Sequence, residues 1–142
     1  MRLKEVPLYM EFRSLNTLKM MVTQFIGEIE HGVKGRKRRV RVEDAKSARR
    51  LLPYLTKKIE KRLELNVTAI EVKYSHKQRK LLLMLINEKL TSLAAQKESI
   101  FQELANGTDD AESKYVELSQ LARYRSTLVE LTNKLGGPYA KN

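Results

Sequence analysis

The chain opens on a period of two. Val6, Leu8, Met10 and Phe12 alternate with Pro7, Tyr9 and Glu11, the pattern of a strand with one buried face. Pro7 confines such a strand to a sheet edge or to its own first residues. The period then changes to three and four. Leu18, Met21, Val22, Phe25, Ile26 and Ile29 form one apolar stripe, which predicts a helix capped by Ser14 or Asn16 and stopped at Gly32. Residues 32–42 are polar and basic around two glycines, with Arg39-Val40-Arg41-Val42 as a candidate short strand. Glu43 and Asp44 favour a helix N-terminus through the backbone dipole. Ala45, Ala48, Leu52, Leu55, Ile59 and Leu63 then continue at helical spacing, and Pro53 among them predicts a kink or two short helices. Asn66 ends that run. Val67 to Tyr74 reads as a strand with Ile70, Val72 and Tyr74 on one side.

The remaining pattern is helical throughout. Ser75 can cap a helix that reaches about Asn106, with Leu83, Ile86, Leu90, Leu93, Ile100 and Leu104 as its seam and Lys97 as the one break. Asn106-Gly107 is a stop signal, and Asp109-x-x-Glu112 has the form of a capping box that restarts the chain. The second helix carries Tyr115, Leu118, Leu121, Leu128, Leu131 and Leu135, is interrupted by Arg125, and ends at Gly136-Gly137-Pro138. So short a turn joins antiparallel neighbours. The expected fold is mainly α: a small α+β portion over residues 1–74, then a long, coiled-coil-like antiparallel hairpin over 75–142 with a short tail. Folding near residue 107 would set Lys97 beside Glu117 and Arg125 beside Glu88, pairs that specify register more than they stabilise. Leu81, Leu82, Leu85, Ala122 and Val129 lie beyond the two seams, so the surplus must meet the N-terminal portion or another chain. The N-terminal portion can cover Leu81, Leu82 and Leu85 near the base, whereas the distal hairpin, around Leu93, Ile100, Phe101 and Val116, extends too far from it and predicts self-association or a protein partner.

Charge changes the picture most. The 142 residues hold 28 Lys+Arg against 17 Asp+Glu, a net charge of +11, which predicts attraction to polyanions. The excess is concentrated in residues 1–74, with 18 Lys/Arg against 9 Asp/Glu, while residues 75–142 hold 10 against 8. Its densest part is Lys34, Arg36, Lys37, Arg38, Arg39 and Arg41, followed by Lys46, Arg49 and Arg50. An ordinary solvated face mixes signs, because like charges packed this closely repel, and arginine grips phosphate bidentately. Lys46, Arg50, Lys57 and Lys61 share the helix face opposite the apolar stripe, and Lys73, Lys77, Arg79 and Lys80 form a second cluster. These residues point to phosphate backbone far better than to base sequence. Tyr54 and Tyr74 lie near them; each suits a core or rim position better than a base-stacking platform.

Chemistry-bearing candidates are few. There is no Cys, hence no thiolate nucleophile and no disulfide framework, which fits a reducing cytoplasm. His31 and His76 are the only histidines, both at predicted element boundaries, where surface or capping roles outweigh metal or catalytic ones. No zinc-finger spacing, RNP motif or helix-turn-helix is legible. Gly32-Val33-Lys34-Gly35 lacks the Gly-Lys-Ser/Thr ending of a P-loop. The N-terminal residues lack a signal-peptide apolar region, and the longest apolar run, Leu81 to Ile86, falls far short of the ~20 residues of a membrane span. The Asn-x-Thr triplets at Asn66 and Asn106 read as chance. Gly107-Thr108-Asp109-Asp110-Ala111-Glu112 with Tyr115 loosely resembles the acidic tip of the coiled-coil hairpin in Gre-type transcript-cleavage factors. Acids are also what any helix N-terminus favours, and no family is assigned on these residues. The sequence therefore predicts a non-enzymatic, cofactor-free, nucleic-acid-associated protein. Its rival is an adaptor subunit whose basic face docks on an acidic protein surface.

Overall fold

The computed structural model of the protein describes residues 8–31 and 42–136. Among them the chain is mainly helical with one small antiparallel sheet: β1 (Leu8–Glu11), α1 (Phe12–Glu30), α2 (Val42–Leu65), β2 (Ala69–Val72), α3 (His76–Ala105) and α4 (Ala111–Gly136). It divides into two compact units, Met1–Leu85 and Ile86–Asn142, with the boundary inside α3. No described helix is long and apolar enough to cross a membrane. The candidate strand at residues 39–42, the stop at Gly32 and the residues Gly137-Pro138 lie wholly or mostly outside the described residues.

In the first unit β1 pairs with β2 in the register Leu8↔Val72, Tyr9↔Glu71, Met10↔Ile70 and Glu11↔Ala69. Met10, Ile70 and Val72 are buried while Tyr9 is exposed, which is the alternation a one-sided sheet requires. Val6 and Pro7 lie outside the described residues, and at its other end the strand stops one residue before its pattern does. Phe12 extends the alternation but begins α1, and Glu11 is the N-cap, with no side-chain cap bond. Ser14 does not cap the helix; it is a buried residue two positions inside it. Leu15, Leu18, Met21, Val22 and Phe25 form the buried stripe of α1, which packs chiefly against α2. Ile26 and Ile29 are only half-buried.

Helix α2 begins where Glu43 and Asp44 place it, in its first turn. Pro53 does not divide it: one helix runs from Val42 to Leu65 with Pro53 exposed inside it. A proline on the solvent side leaves the Arg49 carbonyl without its helical partner where water can supply one, so the break is affordable. The buried face is Ala45, Ala48, Leu51 and Leu55. Leu51 takes the place expected for Leu52, which is half-buried, and Leu63 is 64% exposed. Leu81, Leu82 and Leu85, at the start of α3, are buried as well.

The start of α3 is a reciprocal capping box. Ser75 Oγ accepts a bond from the Gln78 amide at 3.1 Å, and Gln78 Oε1 accepts one from the Ser75 amide at 2.9 Å. Ile86, Leu93 and Ile100 are buried along α3 in the second unit, and Leu128, Leu131 and Leu135 along α4. Gly107 turns the chain between the helices with φ +78°, the left-handed region that glycine adopts freely. Helix α4 starts one residue later than the Asp109-x-x-Glu112 pattern predicts. Thr108 Oγ1 accepts from the Asp110 amide at 3.3 Å, and the Asp110 carbonyl accepts from the Lys114 amide at 3.2 Å. Near the turn Lys114 Nζ lies 2.7 Å from Glu103 and 3.9 Å from Glu117. The Glu103 carboxylate, by hydrogen bond and charge, raises the Lys114 pKa. Glu117 thus meets Lys114, while Lys97 Nζ lies 5.7 Å from the centre of the Phe101 ring.

Tyr74 carries a pH dependence. Its hydroxyl is 3.4 Å from Met10 Sδ, and burial, with a smaller contribution from Tyr54, pushes its pKa well above the ordinary value near 10. A folded-state pKa above the unfolded one stabilises fully below the unfolded value, and that stabilisation is lost as pH rises toward the folded one. Stability is therefore expected to fall above pH ~10 by up to ~1.4 kcal/mol per pH unit from this group. Urea unfolding of the wild type and of Tyr74→Phe across alkaline pH checks it: the fall is shallower in the variant. Equal slopes in the two proteins would contradict it.

Candidate nucleic-acid interface

Lys46, Arg50, Lys57 and Lys61 recur at spacings of four and seven and so share one face of α2, opposite the buried Ala45, Ala48, Leu51 and Leu55. All four are exposed, as is Arg49 beside them. At ~1.5 Å per residue the row is ~22 Å long. Ammonium and guanidinium groups only donate, so the hydrogen-bond partners of this face are acceptors such as phosphate, carboxylate or carbonyl oxygens. Glu43 shares its N-terminal end and Glu60 and Glu64 its C-terminal end.

The second basic cluster adjoins the first. Lys77 Nζ lies 3.9 Å from Glu43 Oε1, with the two side chains 72% and 71% exposed. So exposed a pair contributes little to stability. It shows that the first turn of α3 lies beside the first turn of α2. Lys73 and Lys80 are exposed, and Arg79 is half-buried. Lys34, Arg36, Lys37, Arg38, Arg39 and Arg41 lie outside the described residues.

Tyrosines and two further cations hold this region together. The Tyr54 hydroxyl accepts a hydrogen bond from the Lys73 amide at 2.8 Å, tying the middle of α2 to the residue after β2. The Tyr54 ring meets the edge of Tyr74 at 6.0 Å and 70°. Tyr74 is 6% exposed and offers no face to a base. Tyr54 is half-buried and also carries Lys58 Nζ 5.5 Å from its ring centre. Arg62 lies 5.2 Å over the Phe12 ring and donates from Nη1 to the Val67 carbonyl at 2.9 Å. The Tyr54–Lys58 spacing of four could have announced the first contact; Phe12 is too remote in sequence from Arg62 to announce the second. Lys58 and Arg62 are thus spent largely on the fold.

The residues expected to make protein contacts separate. Leu93 and Ile100 are buried in the chain itself, whereas Phe101 is 45% and Val116 56% exposed. His31 is the C-cap residue of α1 and His76 the first residue of α3, and both are exposed. Comparison with models of protein families, with curated proteins and with solved structures finds no match to this chain.

Proposed function

We propose that the protein is a non-catalytic nucleic-acid-binding protein that holds the phosphate backbone through the exposed face of α2 and the adjoining basic cluster. The observation that carries this reading is the row of Lys46, Arg50, Lys57 and Lys61, all exposed and on one face, with Lys77 close to Glu43 in the first turn of the same helix. The basic segment 34–41 adds to the same charge. In this reading α3 and α4 form an antiparallel, coiled-coil-like hairpin that serves as a contact arm. The Glu103–Lys114 bridge near the turn supports the hairpin, as does Lys89 Nζ, 5.9 Å from the Tyr124 ring centre.

Backbone contact without base readout carries a thermodynamic signature. Binding to duplex DNA is expected to depend little on sequence and to weaken with salt at a log–log slope of about −0.9 per phosphate neutralised. Fluorescence titration of mixed-sequence duplexes, single strands and structured RNA over a salt series measures it. Salt-independent binding would overturn the reading. Preference for poly-glutamate over nucleic acid of equal charge would assign the face to an acidic protein surface instead.

A further inference from the structure

The sheet of the first unit has one covered face and one open face. Met10, Ile70, Val72 and Tyr74 are buried. They alternate with Tyr9, Glu11, Ala69, Glu71 and Lys73, which therefore share the open face. Tyr9 pairs with Glu71, and Lys73 lies two residues further along the same side. Such a diagonal neighbour is about 7–8 Å away, within reach of an aromatic ring and a long side chain. Of Tyr9, Phe12, Phe25, Tyr54 and Tyr74, Tyr9 is the most exposed, at 54%. The Phe12 ring already carries Arg62, and the Tyr54 ring carries Lys58 and meets Tyr74.

Charge orders this face from one end to the other. Lys73 is exposed at one end, and its amide is fixed to α2 by the 2.8 Å bond to the Tyr54 hydroxyl. The open face of the sheet thus meets the helix that carries the basic row. Lys77, exposed as well, follows four residues later. Glu11 lies toward the other end and Glu71 beside the ring. A phosphate is attracted to the Lys73 end and repelled from the Glu11 end. A nucleotide carries its phosphate and its base on different sides of the sugar, so a phosphate at Lys73 leaves the base to lie over Tyr9. There Glu71, which only accepts when ionised, faces N–H groups on the base edge. Bases in a duplex are stacked on one another, whereas a single strand offers their faces to an aromatic ring.

We infer that Tyr9 is a stacking platform for an unpaired base whose phosphate is held by Lys73, which adds single-stranded nucleic acid to what this surface binds. The inference rests on the reading of α2 as a phosphate-binding face. The chain has no Trp, so Tyr9→Trp places its only indole at the site, and stacking on a base quenches indole emission. Titrating the full-length Tyr9→Trp chain with a mixed-sequence single strand is expected to quench that emission. An abasic strand of the same length and charge binds without quenching it. Tyr9→Leu weakens binding of the base-bearing strand by about tenfold or more and of the abasic strand by less than about twofold. Tyr9→Phe, which keeps the ring, stays within about twofold of the wild type on both strands. Binding of duplex alone, quenching by the abasic strand, or a Tyr9→Leu loss equal for the two strands overturns the inference and leaves the reading of α2 standing. An absence of salt-dependent binding to single strands and duplex alike overturns both.

Discussion

Replacing Lys46, Arg50, Lys57 and Lys61 together with Gln is expected to weaken binding to duplex DNA by about three orders of magnitude near 0.1 M salt. Each cation that neutralises a phosphate contributes about 0.9 to the log–log salt slope, so four of them remove up to about 3.6 from it. The fold should survive. All four residues are exposed on the side of α2 away from its buried face, and exposed charges usually shift stability by no more than ~0.5 kcal/mol each. Removing like charges from one face also relieves their repulsion. Anisotropy titrations over a salt series, beside thermal unfolding, read both effects. A folded variant that kept the wild-type slope would show that polyanions are held elsewhere, with the segment 34–41 the first place to look.

Phe25→Ala is expected to lower stability by about 3–5 kcal/mol, measured by urea unfolding of a chain that needs no redox partner. Phe25 is 1% exposed on the buried stripe of α1. That stripe is the side from which α1 packs against α2, so the cavity would undermine the support of the basic face. Against a total stability of ~5–15 kcal/mol such a loss populates unfolded chains at ordinary temperature. Binding per folded molecule would nevertheless persist, because Phe25 contributes no charge to the interface. A cost under ~1 kcal/mol would mean that the α1–α2 contact is looser than its burial indicates.

The periodicities located every described helix and both strands, because burial of one face is what the pattern encodes. Their ends were less legible. Phe12 fits the strand's alternation and the first turn of α1 equally well, and the chain takes the helix. Leu51 and Leu52 are adjacent and equally apolar, so only packing against α1 and the sheet decides that Leu51 turns inward. Pro53 is an ordinary break signal whose cost depends on which side of the helix it faces, and that side becomes known only once the helix is docked. For the interface, exposure of the α2 cations followed from their position opposite the apolar stripe. The bond from the Lys73 amide to Tyr54, and the loss of Lys58 and Arg62 to structural contacts, are tertiary facts that no local spacing except Tyr54–Lys58 foreshadows.

At Gly107 a methyl group built in the L position would meet nothing within 4 Å. Room is therefore not what reserves the site for glycine; handedness is. With φ at +78° the backbone is twisted in the sense that L-amino acids resist and their mirror images prefer. The bend after α3 thus selects its occupant by chirality, and any L side chain placed there is resisted by its own backbone rather than by its neighbours.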